Sequence, residues 1–312
     1  MSNISTPVTP ALARAANREL TFAQQRARRN VYRYIILTVL VIFAVFPVLW
    51  VISASLNPLQ TMANQTLIPQ VDNFAELFTN YDNLLFRLTD RYPFFRWLGN
   101  SIVVAGVTSL CILFITAPAA YAFSRFNFRG RRNLLLFMLL VQVFPNLLAM
   151  VSIFLMLQQF GFHVPFLGLN TWTGLAFIYI GGAMGTNIWL MKGFFDSIPR
   201  DLDEAAYVDG AGPVQTFYRI ILPVARPILT VIGILSFIGI FNEFVLARVL
   251  LRDKDSWTMM VGLYVSFVSD NFSREWGLFA AGAVIGMIPT LLVYLVLQDQ
   301  IASGATAGAV KG

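Results

Sequence analysis

Long runs without charge constrain this chain more than any other feature of its sequence. Several are about 20 residues or longer, the length that an α-helix needs to cross the hydrocarbon core of a bilayer. Helices and closed barrels are the structures that can cross lipid with every backbone group hydrogen-bonded. The sequence therefore predicts an all-α membrane protein with six transmembrane helices, near residues 34–52, 97–123, 133–159, 172–191, 225–247 and 277–298.

The composition agrees with lipid as the solvent. Hydrophobic residues make up 57% of the chain and charged residues 12%, which is too little polar surface to coat a soluble domain of this size. The net charge of +6 arises from basic residues grouped beside the apolar runs. We therefore expect membrane lipid as a partner, and no nucleic acid.

Basic residues in the short flanking segments predict the orientation, because they stay on the cytoplasmic side. Arginines precede the first span and separate the second from the third, whereas residues 160–171 contain no Lys or Arg. Six crossings then place both termini and the segment between spans four and five in the cytoplasm. We expect a cytoplasmic N-terminal arm at 1–33, a transmembrane domain at 34–302 and a cytoplasmic tail at 303–312.

The segment 195–223, between spans four and five, begins with the signals of a short helix. Pro199 is followed by three acids that suit a first turn, where carboxylates meet the positive end of the helix dipole. Leu202, Ala205 and Ala206 would form a small flat apolar face. Gly210 can take the left-handed conformation that ends a helix.

A second short helix can begin at Pro213 and would stop at Pro223. Helices of this length are not stable alone in water, so both are expected to press against a partner. The alternative is an ordinary amphipathic connection that lies on the membrane surface.

The sequence Glu204-Ala205-Ala206, followed by Asp209-Gly210 and later by Ile220-Ile221-Leu222-Pro223, resembles the EAA loop of ABC-type importer permeases. The complete spacing favours docking over the membrane-surface alternative. The resemblance implies a MetI-like core of the type I importer class, whose loop docks onto a separate ATPase subunit through a charge on Glu204. The residues expected to couple to the ATPase are Glu204, Ala205, Ala206, Asp209, Gly210, Phe217, Ile220, Leu222 and Pro223.

Other segments narrow the resemblance to the smaller membrane subunit of maltose/maltodextrin importers. They are residues 165–171, 181–182, 192–195, 250–253 and 306–312. The resemblance implies a second permease subunit, two ATPase subunits that bind ATP and Mg, and an extracytoplasmic sugar-binding protein at a bacterial inner membrane. It implies no catalytic, cofactor or metal site on this chain. Another sugar, such as trehalose or glycerol phosphate, stays an alternative.

Two polar segments near the C-terminus are further candidates. A turn-forming loop precedes the last span, and the resemblance implies that it contacts the binding protein, although it could also be a simple connection. Its candidate residues are Ser269, Asp270 and Asn271. The resemblance also implies that the tail reaches the ATPase interface, with the candidate residues Thr306, Gly308 and Lys311.

Glu243 is an acid inside a predicted span, where an ionised group is costly. One interpretation makes it a residue of the translocation path or its gate. The other places it near the outer end of span five, paired with Arg248 or hydrogen-bonded to Asn242.

Absent motifs exclude several activities. The sequence contains no G-x-x-x-x-G-K-[ST] phosphate loop, so it does not hydrolyse ATP by that route. Its one histidine, His163, excludes a His-rich zinc site. A secondary transporter is the alternative class, but it would carry its own coupling-ion site and usually inverted repeats. The two halves of this chain show no convincing internal repeat, which favours a permease driven by separate ATPases.

Overall fold

The computed structural model describes residues 10–58, 66–144, 146–269 and 275–309, with side chains for 29–58, 66–144, 148–269 and 275–298. In these ranges every regular element is helical, which confirms the predicted all-α class. Short helical segments at Phe74–Phe78, Thr79–Asp82 and Asn83–Arg87 lie between the first two long helices. The main helices are α1 (Pro10–Ser55), α2 (Phe94–Arg125), α3 (Arg131–Val143), α4 (Asn146–His163), α5 (Trp172–Ser197), α6 (Asp201–Val208), α7 (Pro213–Val224), α8 (Arg226–Phe241), α9 (Val245–Leu250), α10 (Met259–Ser269) and α11 (Trp276–Ala309).

Within the described residues, four helices are long and apolar enough to cross a bilayer. Two bent helix pairs raise the number to six if each pair counts as one span. The directions of α3 and α4 differ by 105°, and those of α7 and α8 by 76°. The four helices are Arg29–Ser55, Phe94–Arg125, Trp172–Ser197 and Trp276–Gln298.

Two predicted spans are interrupted. The run 133–159 consists of α3 and α4, and Phe144 between them is extended, as expected for the residue before Pro145. The run 225–247 contains α8, which ends at Phe241, and the start of the separate helix α9. Apolar helices therefore form where the apolar runs predict them, but two of the predicted spans are each divided between two helices.

The chain divides into a unit of residues 1–53 and a unit of residues 54–312. The described part of the first unit belongs to α1. In the second unit, α2 packs against α5 and α8. Near its start Trp97 packs in a core with Phe241, and near its end Tyr121 packs in another with Phe195 and Phe217. The helix α2 thus contributes side chains to separate cores near its two ends.

Asn170 joins the segment before α5 to the segment after α9. Its backbone has a positive φ of 61°. Its Oδ1 accepts hydrogen bonds from the backbone N–H groups of Arg252 and Asp253, both at 2.9 Å, and its Nδ2 donates to the Asp253 carboxylate. Two of the segments that carry the family resemblance therefore meet at this residue.

We expect Asn170→Ala to destabilise the protein by about 3–5 kcal/mol. Alanine is disfavoured at positive φ by about 1–2 kcal/mol, and each lost hydrogen bond costs about 1 kcal/mol. Thermal unfolding of the detergent-solubilised protein measures the loss. Asn170→Gly is the control, because glycine accepts the backbone angle and loses only the hydrogen bonds. Equal melting of all three proteins would show that the junction contributes nothing.

Candidate functional site

The segment between α5 and α8 folds into two short helices, as the sequence predicts. The first turn of α6 contains the three acids at 201, 203 and 204. After α6, Gly210 has a φ of 81°, and its N–H donates to the Tyr207 carbonyl at 3.0 Å. The Ala211 N–H donates to the Ala206 carbonyl at 2.9 Å. These two bonds form a Schellman motif, so the predicted left-handed helix end is present.

The second helix, α7, begins at Pro213, as predicted, but Pro223 does not stop it. The helix continues to Val224. The turn Phe217–Ile221 has π-helical hydrogen bonds, and the Leu222 N–H donates to the Phe217 carbonyl. This wider turn changes the hydrogen-bond register just before Pro223, so that the missing N–H of proline is tolerated within the helix.

A single residue separates α7 from α8. Ala225 is fully buried, its N–H donates to the Ile221 carbonyl at 2.9 Å, and its carbonyl accepts from the Leu229 N–H at 3.1 Å. Pro223 and Pro227 flank this corner and fix their own φ angles. The 76° change of direction is therefore made without a loop.

A buried ion pair attaches α6 to the end of α2. The Nε atom of Arg125 lies 3.0 Å from Oδ2 of Asp203, and the two side chains are 6% and 8% exposed. The Tyr121 hydroxyl donates to Oδ1 of Asp203 at 3.0 Å, and Nη2 of Arg125 donates to the Ile198 carbonyl at 3.0 Å. One carboxylate of the loop is thus bound by two consecutive turns of a long helix.

Apolar contacts reinforce this attachment. The Phe217 ring of α7 lies 4.9 Å from the Tyr121 ring, centroid to centroid. Ile221 and Ala206 are also buried. Together with the ion pair, these contacts hold the inner faces of both short helices against the membrane-spanning helices. The loop is therefore attached to α2 by both charged and apolar contacts.

The predicted apolar face of α6 is split in the structure. Ala206 is buried, whereas Leu202 and Ala205 are exposed. Asp203 occupies the buried position beside Ala206, where its carboxylate is paired with Arg125 and accepts a hydrogen bond from Tyr121, both of α2. The opposite face of α6 is left open and carries Glu204.

Exposed side chains of α6 and α7 form what we term the outer face of the loop. Val208 is 88% exposed and Val214 is 70% exposed, although valine side chains are usually buried in folded proteins. Apolar residues grouped around a charge are typical of a surface that binds another protein. The outer face comprises Leu202, Glu204, Ala205, Tyr207, Val208, Val214 and Tyr218.

The structure sorts the other predicted coupling residues by exposure. Asp209, Gly210 and Pro223 are exposed and accessible from outside. Phe217 is buried, and Ile220 and Leu222 are half-buried against the same core. These last three residues contribute to attachment of the loop, while the motif acids remain accessible.

Glu243 caps α9. Its carboxylate accepts the N–H groups of Leu246 at 2.8 Å and Ala247 at 3.0 Å, and it accepts the hydroxyl of Tyr179. These groups take the place of the predicted neighbours Arg248 and Asn242. Glu243 also lines a cavity of about 990 Å³ beside α5. A role in the path or its gate stays a prediction.

The remaining candidates lie at the edge of the described chain. Ser269 ends α10, and its hydroxyl donates to the Val265 carbonyl at 2.9 Å. Asp270 and Asn271 lie outside the described residues. Thr306 and Gly308 fall within the backbone of α11, whose side chains there are not described, and Lys311 lies outside the described residues.

Sequence reasoning missed the pairing of Arg125 with Asp203. In the sequence, Arg125 is one of the arginines between the second and third predicted spans, and Asp203 is one of the three acids that suit the first turn of α6. The available signal was the i, i+3 spacing of Asp203 and Ala206, which places both on one side of α6. In the part of the chain that the structure describes, no group of three or more His, Cys, Asp or Glu residues is placed to hold a metal ion.

Comparisons with known proteins identify related permease proteins. The chain is 41% identical over 272 residues to the maltose/maltodextrin transport system permease protein MalG of Photorhabdus laumondii subsp. laumondii, covering 86% of this chain and 90% of that protein. It is 35% identical over 291 residues to the galactooligosaccharides transport system permease protein GanQ of Bacillus subtilis, covering 92% and 98%. These matches confirm the predicted resemblance to sugar-class importer permeases.

A solved structure has the same fold. A bacterial ABC transporter involved in the import of the acidic polysaccharide alginate matches with a TM-score of 0.71 and 27% identity, covering 88% of this chain and 97% of that chain. Residues 115–305 match the family model described as the binding-protein-dependent transport system inner membrane component. The matched region includes α6, α7, the end of α2 and the ion pair between them. This chain therefore belongs to the family of binding-protein-dependent transport system inner membrane components, and it is a multi-pass ABC permease subunit of the inner membrane.

Proposed function

We propose that this chain is a membrane-spanning subunit of an ATP-driven importer for maltose/maltodextrin-type oligosaccharides. It forms the translocation path with a second permease subunit and couples to two ATPase subunits through α6 and α7. The single observation that carries this proposal is the loop itself, whose inner face is fixed to α2 while its outer face is exposed. Such a two-sided loop can take force from one protein and pass it to another.

The proposed topology has six crossings, with both termini in the cytoplasm. The four long helices supply four crossings, and each bent pair supplies one. Arginines in 1–33 and between α2 and α3 then face the cytoplasm, as the positive-inside rule requires. In this orientation α6 and α7 are cytoplasmic and accessible to an ATPase subunit.

In the proposed mechanism the ATPase subunits bind ATP and Mg and hydrolyse the nucleotide. A basic residue of an ATPase subunit contacts Glu204, and the apolar outer face fills a depression around it. When that subunit moves, α6 moves with it. Asp203 transmits the displacement to Arg125 and Tyr121, so that α2 shifts and the path changes its accessibility.

The sugar class is proposed from the names of the relatives. Several are maltose/maltodextrin permease proteins, while one is a galactooligosaccharide permease protein. Trehalose or glycerol phosphate is the alternative substrate. Uptake of labelled sugars by the reconstituted complex, with its binding protein, tests the assignment. Preferred uptake of a sugar outside the maltodextrins would overturn the substrate, and proton- or sodium-driven uptake by this chain alone would overturn the class.

Three further roles are proposed. Ser269, Asp270 and Asn271 contact the extracytoplasmic binding protein, Glu243 acts at the path or its gate, and the tail reaches the ATPase interface through Thr306, Gly308 and Lys311. Glu243 is supported by its position on the large cavity beside α5. The same uptake assay tests Glu243→Gln and removal of the last ten residues. Wild-type uptake by Glu243→Gln would exclude the role of Glu243 in the path or its gate, and wild-type uptake by the truncated protein would exclude the role of the tail at the ATPase interface.

We expect replacement of residues 269–273 by a Gly-Ser linker to weaken stimulation of ATPase activity by the binding protein. The linker removes the polar side chains that such a contact needs and changes the adjacent helices only at Ser269, the last residue of α10. Stimulation is measured on the purified complex, and co-purification of all subunits is the control for assembly. Full stimulation of an assembled variant would exclude this contact.

A further inference from the structure

A basic cavity lies between the first turn of α3 and the last turns of α5. Its volume is about 590 Å³, and its lining includes Arg131, Arg132, Lys192, Trp189 and Leu136. It is separate from the outer face of the loop and from the cavity beside Glu243. Nothing in the proposed coupling mechanism uses it.

The cavity has an excess of positive charge. Lys192 pairs with Asp196, whereas Nη1 of Arg131 donates to the neutral side chain of Asn127 at 3.1 Å. Arg132 is exposed. Among the described residues, the Lys192 pair is the one salt bridge made by these three cations. An anion in the cavity would therefore meet the guanidinium groups of Arg131 and Arg132, which form no salt bridge among the described residues, and the single carboxylate nearby, Asp196, is paired with Lys192 and also interacts electrostatically with Arg131.

The helix end at the cavity adds to this attraction. Gly130, with a φ of 87°, occupies the N-cap position of α3 and has no side chain to cap the first turn. The Arg131 N–H donates to the Phe128 carbonyl at 3.3 Å, while the helix dipole and the following N–H groups of the first turn favour an anion. This helix end adds to the attraction of Arg131, Arg132 and Lys192 for an anion, and it would not form an anion-binding site without them.

Apolar surface continues from the cavity along α3. Leu136, Phe137 and Leu140 are 50%, 61% and 68% exposed. The Trp189 indole donates to the Leu135 carbonyl at 3.3 Å, and tryptophan is enriched at the level of lipid headgroups. A ligand that fits both parts has an anionic head and long hydrocarbon chains.

We propose that the cavity binds the headgroup phosphate of an anionic phospholipid of the cytoplasmic leaflet, with its acyl chains along α3. The assignment to this leaflet rests on the proposed orientation of the permease. Clusters of Lys and Arg beside transmembrane helices attract anionic lipids by about 1 kcal/mol for each cation. The lipid would hold α3 and α5 together at their cytoplasmic ends.

Native mass spectrometry of the purified permease with phosphatidylglycerol tests this inference. We expect the wild-type protein to retain one tightly bound lipid, and Arg131→Gln with Arg132→Gln to bind it about 30-fold more weakly. Phosphatidylcholine should bind weakly to both proteins. Arg33→Gln with Arg226→Gln is the matched control, because it removes two exposed cations outside the cavity.

A charge-conserving variant and a competing anion complete the test. Arg131→Lys with Arg132→Lys keeps the charge and should keep the lipid, which separates a lost site from a misfolded protein. Displacement by inorganic phosphate at the concentration of the lipid would overturn the lipid assignment in favour of a free anion. Equal lipid binding by the glutamine variant and the wild type would overturn the site itself. The readout needs neither sugar nor ATP, so its failure is distinct from failure of the transport function.

Discussion

Replacing Arg125 by glutamate is expected to reduce coupled sugar uptake at least tenfold. The change puts a second carboxylate beside Asp203, in a position where both side chains are almost fully buried. Loss of one partner from a buried ion pair costs about 3–5 kcal/mol, so α6 should detach from α2. Uptake and ATP hydrolysis of the reconstituted complex measure the effect, and the number of sugars transported for each ATP reports the coupling.

Three variants make this expectation specific. Arg125→Glu with Asp203→Arg restores an ion pair of reversed polarity and should recover part of the uptake. Tyr121→Phe removes one hydrogen bond to Asp203 and should lower the sugar-to-ATP ratio without loss of assembly. Arg87→Glu is the control, because Arg87 pairs with Asp82 where the side chains are 72% and 43% exposed, and such pairs contribute about 0–1 kcal/mol. Wild-type coupling in Arg125→Glu would show that this ion pair transmits nothing.

Glu204→Lys and Gly210→Val should each insert normally and lose ATPase association or transport, for different reasons. Reversing an interfacial charge costs about 2–5 kcal/mol when its partner is desolvated. Gly210 has a positive φ, which strongly disfavours a β-branched side chain. Co-purification with the ATPase subunits separates lost association from lost transport.

Rescue separates the two causes. A complementary charge reversal on the ATPase should partly restore Glu204→Lys and leave Gly210→Val defective. Gly210→Asn should behave nearly as wild type, because asparagine tolerates positive φ, and a Cβ atom at this position meets no neighbour within 4 Å. If Glu204→Lys and Gly210→Val both assemble and transport at the wild-type rate, the coupling role is wrong.

Local signals predicted the parts of this molecule that depend on neighbours in the chain. The start of α6, the left-handed Gly210 and the start of α7 at Pro213 follow from proline, acidic residues and glycine at fixed spacings. The apolar runs predicted where long helices form. These features could be predicted from the sequence because dihedral preferences, helix dipoles and hydrophobic length act over one or a few helical turns.

Features that depend on distant partners were missed. Nothing local to Asp203 indicates that Tyr121 and Arg125 of another helix satisfy its charge. Glu243 was recognised as costly, but its partners Tyr179 and the first turn of α9 could not be selected from the sequence. The sequence shows that a charged residue in an apolar segment needs a partner, but the three-dimensional structure is required to identify that partner.

The corner at Ala225 joins α7 directly to α8 at an angle of 76°. Ala225 is fully buried, and the prolines on either side of it restrict the backbone between α7 and α8. We therefore expect a tilt of α7 to rotate α8. The length of the chain should consequently be intolerant to insertion at residue 225, where one extra residue would separate the movement of α7 from that of α8.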